Sequence, residues 1–240
     1  METIGKKDFV EILFTGTLDN GDVFDSNIPD DLKKATLKVE AKPFIFCIGE
    51  HMFLEAVDNF LIGKEIGKEY SLILQAKEAF GERNASLVKV IPLKLFLEHQ
   101  TYPQAGMTLN IDGNLTKIIS VSGGRVVADF NHPLSGKVVH YKLIITKKIT
   151  DIKEKAASFI EFLTKQKFDF DLQEKEKKIV VKVPQGYDQF FELFKDKFRE
   201  ILDLELTSVV DEELTKKLEQ HKHNHAHEGH DHSHHDHEHR

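Results

Sequence analysis

From about residue 6 to residue 85, short runs of alternating apolar and polar residues are cut by tight-turn signals, a pattern of short strands joined by turns. Val10, Ile12 and Phe14 alternate with Glu11 and Leu13 ahead of Asp19-Asn20-Gly21-Asp22. Period two puts one set of side chains on one face of a strand. Asn-Gly tolerates positive φ at both central positions of a two-residue turn, so a hairpin is expected there. Lys42–Ile48 and Tyr70–Lys77 read as further strands. Between them His51–Leu61 carries Leu54, Val57 and Leu61 at helical spacing, closed by Gly63 and Gly67.

A second zone, about 86 to 132, has its own strands at Thr108–Asp112, Leu115–Val121 and Arg125–Phe130. Asp112-Gly113-Asn114 and Ser122-Gly123-Gly124 separate them, which predicts a compact β unit. Val138–Ile149 resumes as a long strand. A third zone, about 150 to 212, opens with Asp151 and Glu154 in capping-box spacing and a helix with Ile152, Ala156, Phe159, Ile160 and Leu163 on one face. Strands around Phe170 and Ile179–Val183 follow. A second helix then bears Tyr187, Phe190, Phe191, Phe194 and Phe198, and a strand follows around Leu204. The order α-β-β-α-β predicts a small sheet covered by two helices. Residues 221–240 hold ten of the 14 histidines without apolar periodicity, so a disordered tail is expected there.

A single cysteine, Cys47, excludes an internal disulfide framework and fits a reducing cytosol. The N-terminus lacks the apolar core of a secretory signal, and no uninterrupted apolar run of about 18 residues is present, so a cytoplasmic protein that avoids membranes is expected. A net charge of -7 argues against general nucleic-acid binding.

Five pieces in order carry a resemblance: Phe14-Thr15-Gly16; Gly21-Asp22-Val23-Phe24-Asp25-Ser26; Lys42-Pro43-Phe44-Ile45-Phe46 through Gly49; Phe53–Leu61 with Gly63; and Ala79-Phe80-Gly81. Together they resemble the FKBP-type peptidyl-prolyl cis/trans isomerases. Asn131-His132-Pro133-Leu134-Ser135-Gly136-Lys137 is similar to the segment where SlyD-like members return from an inserted flap, and the whole layout is similar to long archaeal members. The resemblance implies an α+β fold: an FKBP-like half-barrel antiparallel sheet wrapped on a short helix, a small inserted β flap domain, and a C-terminal α-β-β-α-β domain. Residues 1–85 and 133–149 would form the isomerase domain, 86–132 the flap and 150–212 the C-terminal domain, with 213–240 a helical linker and His-rich tail.

Carried over position by position, the resemblance implies a pocket of Phe14, Phe24, Asp25, Phe44, Phe53, Leu54, Val57, Phe80 and Tyr141. Phe14 and Phe80 stand where many members have Tyr, and Val57 where a Trp forms the floor, departures that disfavour macrolide inhibitors more than isomerisation. No cofactor is implied for isomerisation. Asp25 would act electrostatically; without its flanking motif it reads as an exposed turn acid. The flap implies chaperone activity on unfolded or nascent proline-containing polypeptides, with Tyr102, Met107, Leu109, Ile118 and Ile119 divided between client contact and the flap's own core. His221, His223, His225, His227, His230, His232, His234, His235, His237 and His239 offer imidazoles suited to divalent Ni, Zn, Cu or Co. Without fixed spacing they suit an adaptable multi-ion site rather than one structural centre. A purification tag is the competing reading of this tail, opposed by its irregular mixture with Asn, Asp, Glu, Gly and Ser. Two other readings stay open: a metal-storage or metal-delivery chaperone whose FKBP domain mainly binds clients, and a non-catalytic peptide-binding module that forms a homodimer through residues 150–212.

Overall fold

The computed structural model describes residues 2–37 and 39–216. The chain divides into two compact units, Met1–Lys148 and Ile149–Arg240. In the first, β1 (Phe9–Leu18) buries Phe9, Val10, Ile12 and Phe14. It pairs antiparallel along one edge with two strands in tandem. Residues Phe9 to Ile12 face β3 (Phe44–Cys47), and Thr15 to Thr17 face β2 (Val23–Ser26). Its other edge joins β9 (Val139–Ile149), which pairs with β4 (Glu69–Leu74). Helix α2 (Glu55–Leu61) contributes Val57 and Leu61, both fully buried.

The turn after β1 is longer than the Asn-Gly signal predicts. Only Gly21 is left-handed, at φ 86°; Leu18 N donates to Asp22 O and Gly21 N to Leu18 O, closing a three-residue loop, and the side chain of Asn20 accepts from Asp22 N. Helix α1 (Pro29–Lys34), unanticipated from sequence, follows β2 with proline in its first turn.

The insert lies between β4 and β9. It forms a separate antiparallel sheet, β5-β8-β7-β6, from β5 (Val88–Pro92), β6 (Thr108–Ile111), β7 (Asn114–Ser122) and β8 (Arg125–Asp129). Two hairpins close as read. Asp112-Gly113 and Gly123-Gly124 both have positive φ at each central position. The all-strand expectation for this zone needs correction, because α3 (Leu93–Glu98) packs Phe96 into the core with Ile118, Val126 and Ala128. Ile118 is therefore fully buried as part of the flap's own core, and Leu109, partly buried, packs against the same core. Tyr102, Met107 and Ile119 are exposed, as are Val90 and Leu115.

The second unit opens with α4 (Ile152–Thr164), capped by the Asp151 carboxylate, which accepts from Glu154 N at 2.6 Å. Strand β10 (Phe170–Gln173) pairs antiparallel with β11 (Lys178–Val183). The expected second helix is two: α5 (Tyr187–Glu192) and α6 (Lys195–Leu202). Bonds from Leu193 N to Phe190 O and from Phe194 N to Phe191 O tighten the chain at the break. These helices carry the crossover that lets β12 (Glu205–Val210) lie parallel to β11. Phe159 and Phe198 meet at 5.0 Å in the core, alongside buried Phe191 and Ile179.

Candidate active site

Four strands and two loops of the first unit bring six aromatic rings together. Phe53, just ahead of α2, is the hub, 5.2 Å from Phe14, 5.3 Å from Phe44 and 5.5 Å from Tyr141. Phe24 on β2 meets both Tyr141 and Phe80 edge-on at 5.8 Å. Offset and edge-on arrangements are those that the ring quadrupole favours. Phe14 and Tyr141 are almost wholly buried, whereas Phe24, Phe44, Phe53 and Phe80 keep part of their surface open. The result is an apolar, partly open cluster. Leu54, the residue that starts α2, is half-buried beside Phe53 in the chain. Phe46, absent from the sequence-based set, stacks on Phe44 at 5.2 Å and backs it from the core.

The backbone of Phe14 is held from both sides. Asn27 Oδ1 accepts from Phe14 N at 2.8 Å, while Asn27 Nδ2 donates to Ile12 O and Lys42 O. Ser26 Oγ donates to Phe14 O at 3.0 Å. Asn27 is buried, and its bonds to Phe14 N and Ile12 O, like that of Ser26 to Phe14 O, satisfy buried backbone groups. Gly16, two residues on, lies beneath the Phe24 ring: a Cβ there would come within 2.6 Å of Phe24 Cζ. Both are positioning features of the ring cluster that one-residue reading of the sequence passed over.

Asp25 follows Phe24 on β2. Its carboxyl is raised above the ordinary carboxylate value, first by desolvation and against the pull of a hydrogen bond from the Ser26 backbone. Tyr141 is pushed well above the ordinary phenol value, first by burial and then by the Asp25 charge. The carboxylate thus reaches the ring cluster electrostatically, although Asp25 as a whole keeps much of its surface in solvent.

Phe80 is fixed by the returning loop. His132 stacks flat on it, with centroids 4.9 Å apart and planes 4° apart, and Ser135 Oγ donates to Phe80 O at 3.1 Å. The same loop closes the stem of the insert. Arg83 donates to Asp129 at 2.6 Å, and Asn131 bonds the backbone of Asn84 in both directions.

The family model for FKBP-type peptidyl-prolyl cis-trans isomerases matches residues 1–97, and that of the FKBP26 IF domain matches residues 89–134. The short-type peptidyl-prolyl cis-trans isomerase of Methanocaldococcus jannaschii is 31% identical over 153 residues, 62% of this chain and 94% of that protein. This chain belongs to the FKBP-type peptidyl-prolyl cis-trans isomerases. Other relatives are the FKBP-type 16 kDa isomerase of Escherichia coli K12, at 25% identity over 59% of this chain and 91% of its own length, and SlyD of Treponema pallidum, at 26% over 57% and 73%. These names support a SlyD-like subtype for this isomerase. Neither family model reaches the second unit.

The ten tail histidines lie outside the described residues. Among the described residues, no three His, Cys, Asp or Glu side chains cluster at metal-binding distance, and no helix is long and apolar enough to cross a membrane.

Proposed function

We propose that X-Pro isomerisation takes place within the ring cluster, with Phe14, Phe24, Phe44, Phe53, Phe80 and Tyr141 as walls and Leu54 and Val57 as floor. The planar amide is strongly dipolar, and rotating it costs about 18–20 kcal/mol. At the twisted geometry resonance is lost and the dipole shrinks. A dry aromatic enclosure therefore disfavours the planar state more than the twisted one, and each ~1.4 kcal/mol of that difference is worth tenfold in rate. No nucleophile or cofactor takes part. The observation that carries this reading is the linked cluster of six rings, Phe14, Phe44 and Tyr141 meeting Phe53, and Phe24 joining Tyr141 to Phe80, with the Asp25 charge felt at Tyr141. Asp25, as the carboxylate, places negative charge beside the twisting carbonyl carbon.

The raised pKa gives that role a pH signature. A carboxyl raised above its ordinary value of 3.8 takes up its proton at higher pH than a free aspartate. Activity that depends on the carboxylate is present above the raised value and is lost as pH falls through it. In a proline-limited refolding assay, wild type should lose rate on acidification before an ordinary aspartate would titrate. Asp25→Asn should be slower at neutral pH, by about tenfold if the charge contributes ~1.4 kcal/mol, and flat in pH across that window. A wild-type rate for Asp25→Asn at neutral pH rules the electrostatic role out.

The flap would supply chaperone activity. Exposed Tyr102, Met107 and Ile119 favour capture of unfolded or nascent proline-containing chains, and tethering a client beside the pocket corresponds to millimolar effective concentration. The histidine tail would bind divalent Ni, Zn, Cu or Co, and a cytoplasmic setting suits the single buried thiol of Cys47. A homodimer through residues 150–212 is favoured by the exposed apolar side chains Leu193, Val209 and Val210 on that unit.

A further inference from the structure

A groove of about 420 Å³ lies between the outward face of the insert's sheet and the returning loop that buttresses Phe80. Leu115 and Ile119 give it an apolar wall, and they are 58% and 42% exposed. Lys117 and Lys137 stand on its two sides, and among the described residues neither has a carboxylate at ion-pair distance. Asp129 is the one acid in the lining, and it is already occupied. Its carboxylate takes a 2.6 Å bond from Arg83 and further bonds from the backbone and side chain of Asn131. The Arg83 and Asp129 charges therefore cancel, leaving two uncompensated lysines on a chain whose net charge is -7. The groove adjoins the ring cluster through two of its lining residues. His132 lines it and stacks on Phe80, while Ser135 lines it and holds the Phe80 carbonyl.

We infer that this groove holds the stretch of client chain flanking the isomerised proline and selects stretches in which acidic residues accompany apolar ones. The inference rests on the ring cluster being the isomerase site. Apolar client side chains would cover Leu115 and Ile119, and client carboxylates would meet Lys117 and Lys137. Groove occupancy would then anchor the client while the proline turns over at Phe80. The lysines are exposed, so the preference is electrostatic, long-ranged and weakened by salt.

The test compares the full chain on a proline tetrapeptide, too short to leave the pocket, with longer peptides bearing an acidic, neutral or basic stretch on either side of the proline. At low salt the acidic peptide should exceed the basic one in kcat/KM by about tenfold, through KM, with the gap shrinking in high salt. Replacing both lysines (Lys117→Met with Lys137→Met) should remove the order, and Lys117→Glu with Lys137→Glu should invert it, while tetrapeptide turnover stays at the wild-type value. Extended peptides that do not differ, or an order that survives both double variants, overturn the groove while leaving the pocket standing. A tetrapeptide that is not turned over at all overturns the pocket and the groove together.

Discussion

A Gly16→Ala variant is expected to stay folded and yet lose roughly ten- to a hundredfold in kcat/KM, the equivalent of about 1.4–2.8 kcal/mol at the transition state. The added Cβ would lie 2.6 Å from Phe24 Cζ and 3.0 and 3.1 Å from the neighbouring ring carbons. Carbon atoms pack at about 3.5–4.0 Å, so the Phe24 ring has to tilt away. That ring carries the edge-on contacts to both Phe80 and Tyr141, and Asp25 is the next residue on the strand. A tilt opens the wall and moves the carboxylate together. The backbone at Gly16 is not left-handed, so alanine brings no conformational strain, and the stability loss should stay within about 1–3 kcal/mol. Tetrapeptide turnover and thermal melting measured on the same preparation separate the two effects. Wild-type turnover in a folded Gly16→Ala protein would mean that the Phe24 ring is not part of the working pocket.

Asn27→Ala should have the larger effect on stability, a loss of about 2–4 kcal/mol in urea unfolding with an unchanged m-value. The substitution removes a side chain only 8% exposed, stranding the buried Phe14 N and Ile12 O and releasing the bond to Lys42 O. It also frees the strand that carries Phe14, so turnover should fall even under conditions where the variant is fully folded. A loss below 1 kcal/mol would show that water or a backbone shift replaces all three bonds.

Much of this arrangement is legible in the sequence. The hairpins at Asp112-Gly113 and Gly123-Gly124 follow from local φ preference alone. The six ring positions follow from ordered motifs whose resemblance carried them over one by one. What was missed depends on tertiary proximity or on elements too short to show a period. Helices α1 and α3 have six residues each, fewer than two turns, and leave no amphipathic trace. The clamp on Phe14 comes from a side chain 13 residues away in sequence. Ile118 and Ile119 are neighbours on β7 and so point to opposite faces of the sheet, but only the packing of α3 on one face decides that Ile118 is buried and Ile119 exposed. The Phe-rich segment of the second unit reads as one helix, and only the tightened turn at Leu193 and Phe194 divides it.

Isomerisation at the Phe53-centred ring cluster is tested most directly by exchange spectroscopy on a proline tetrapeptide with wild type, Phe24→Ala and Phe80→Ala at matched folded concentration. The pocket reading predicts cis/trans exchange accelerated by wild type and reduced by about tenfold or more in each variant. Exchange as fast in both variants as in wild type would contradict it.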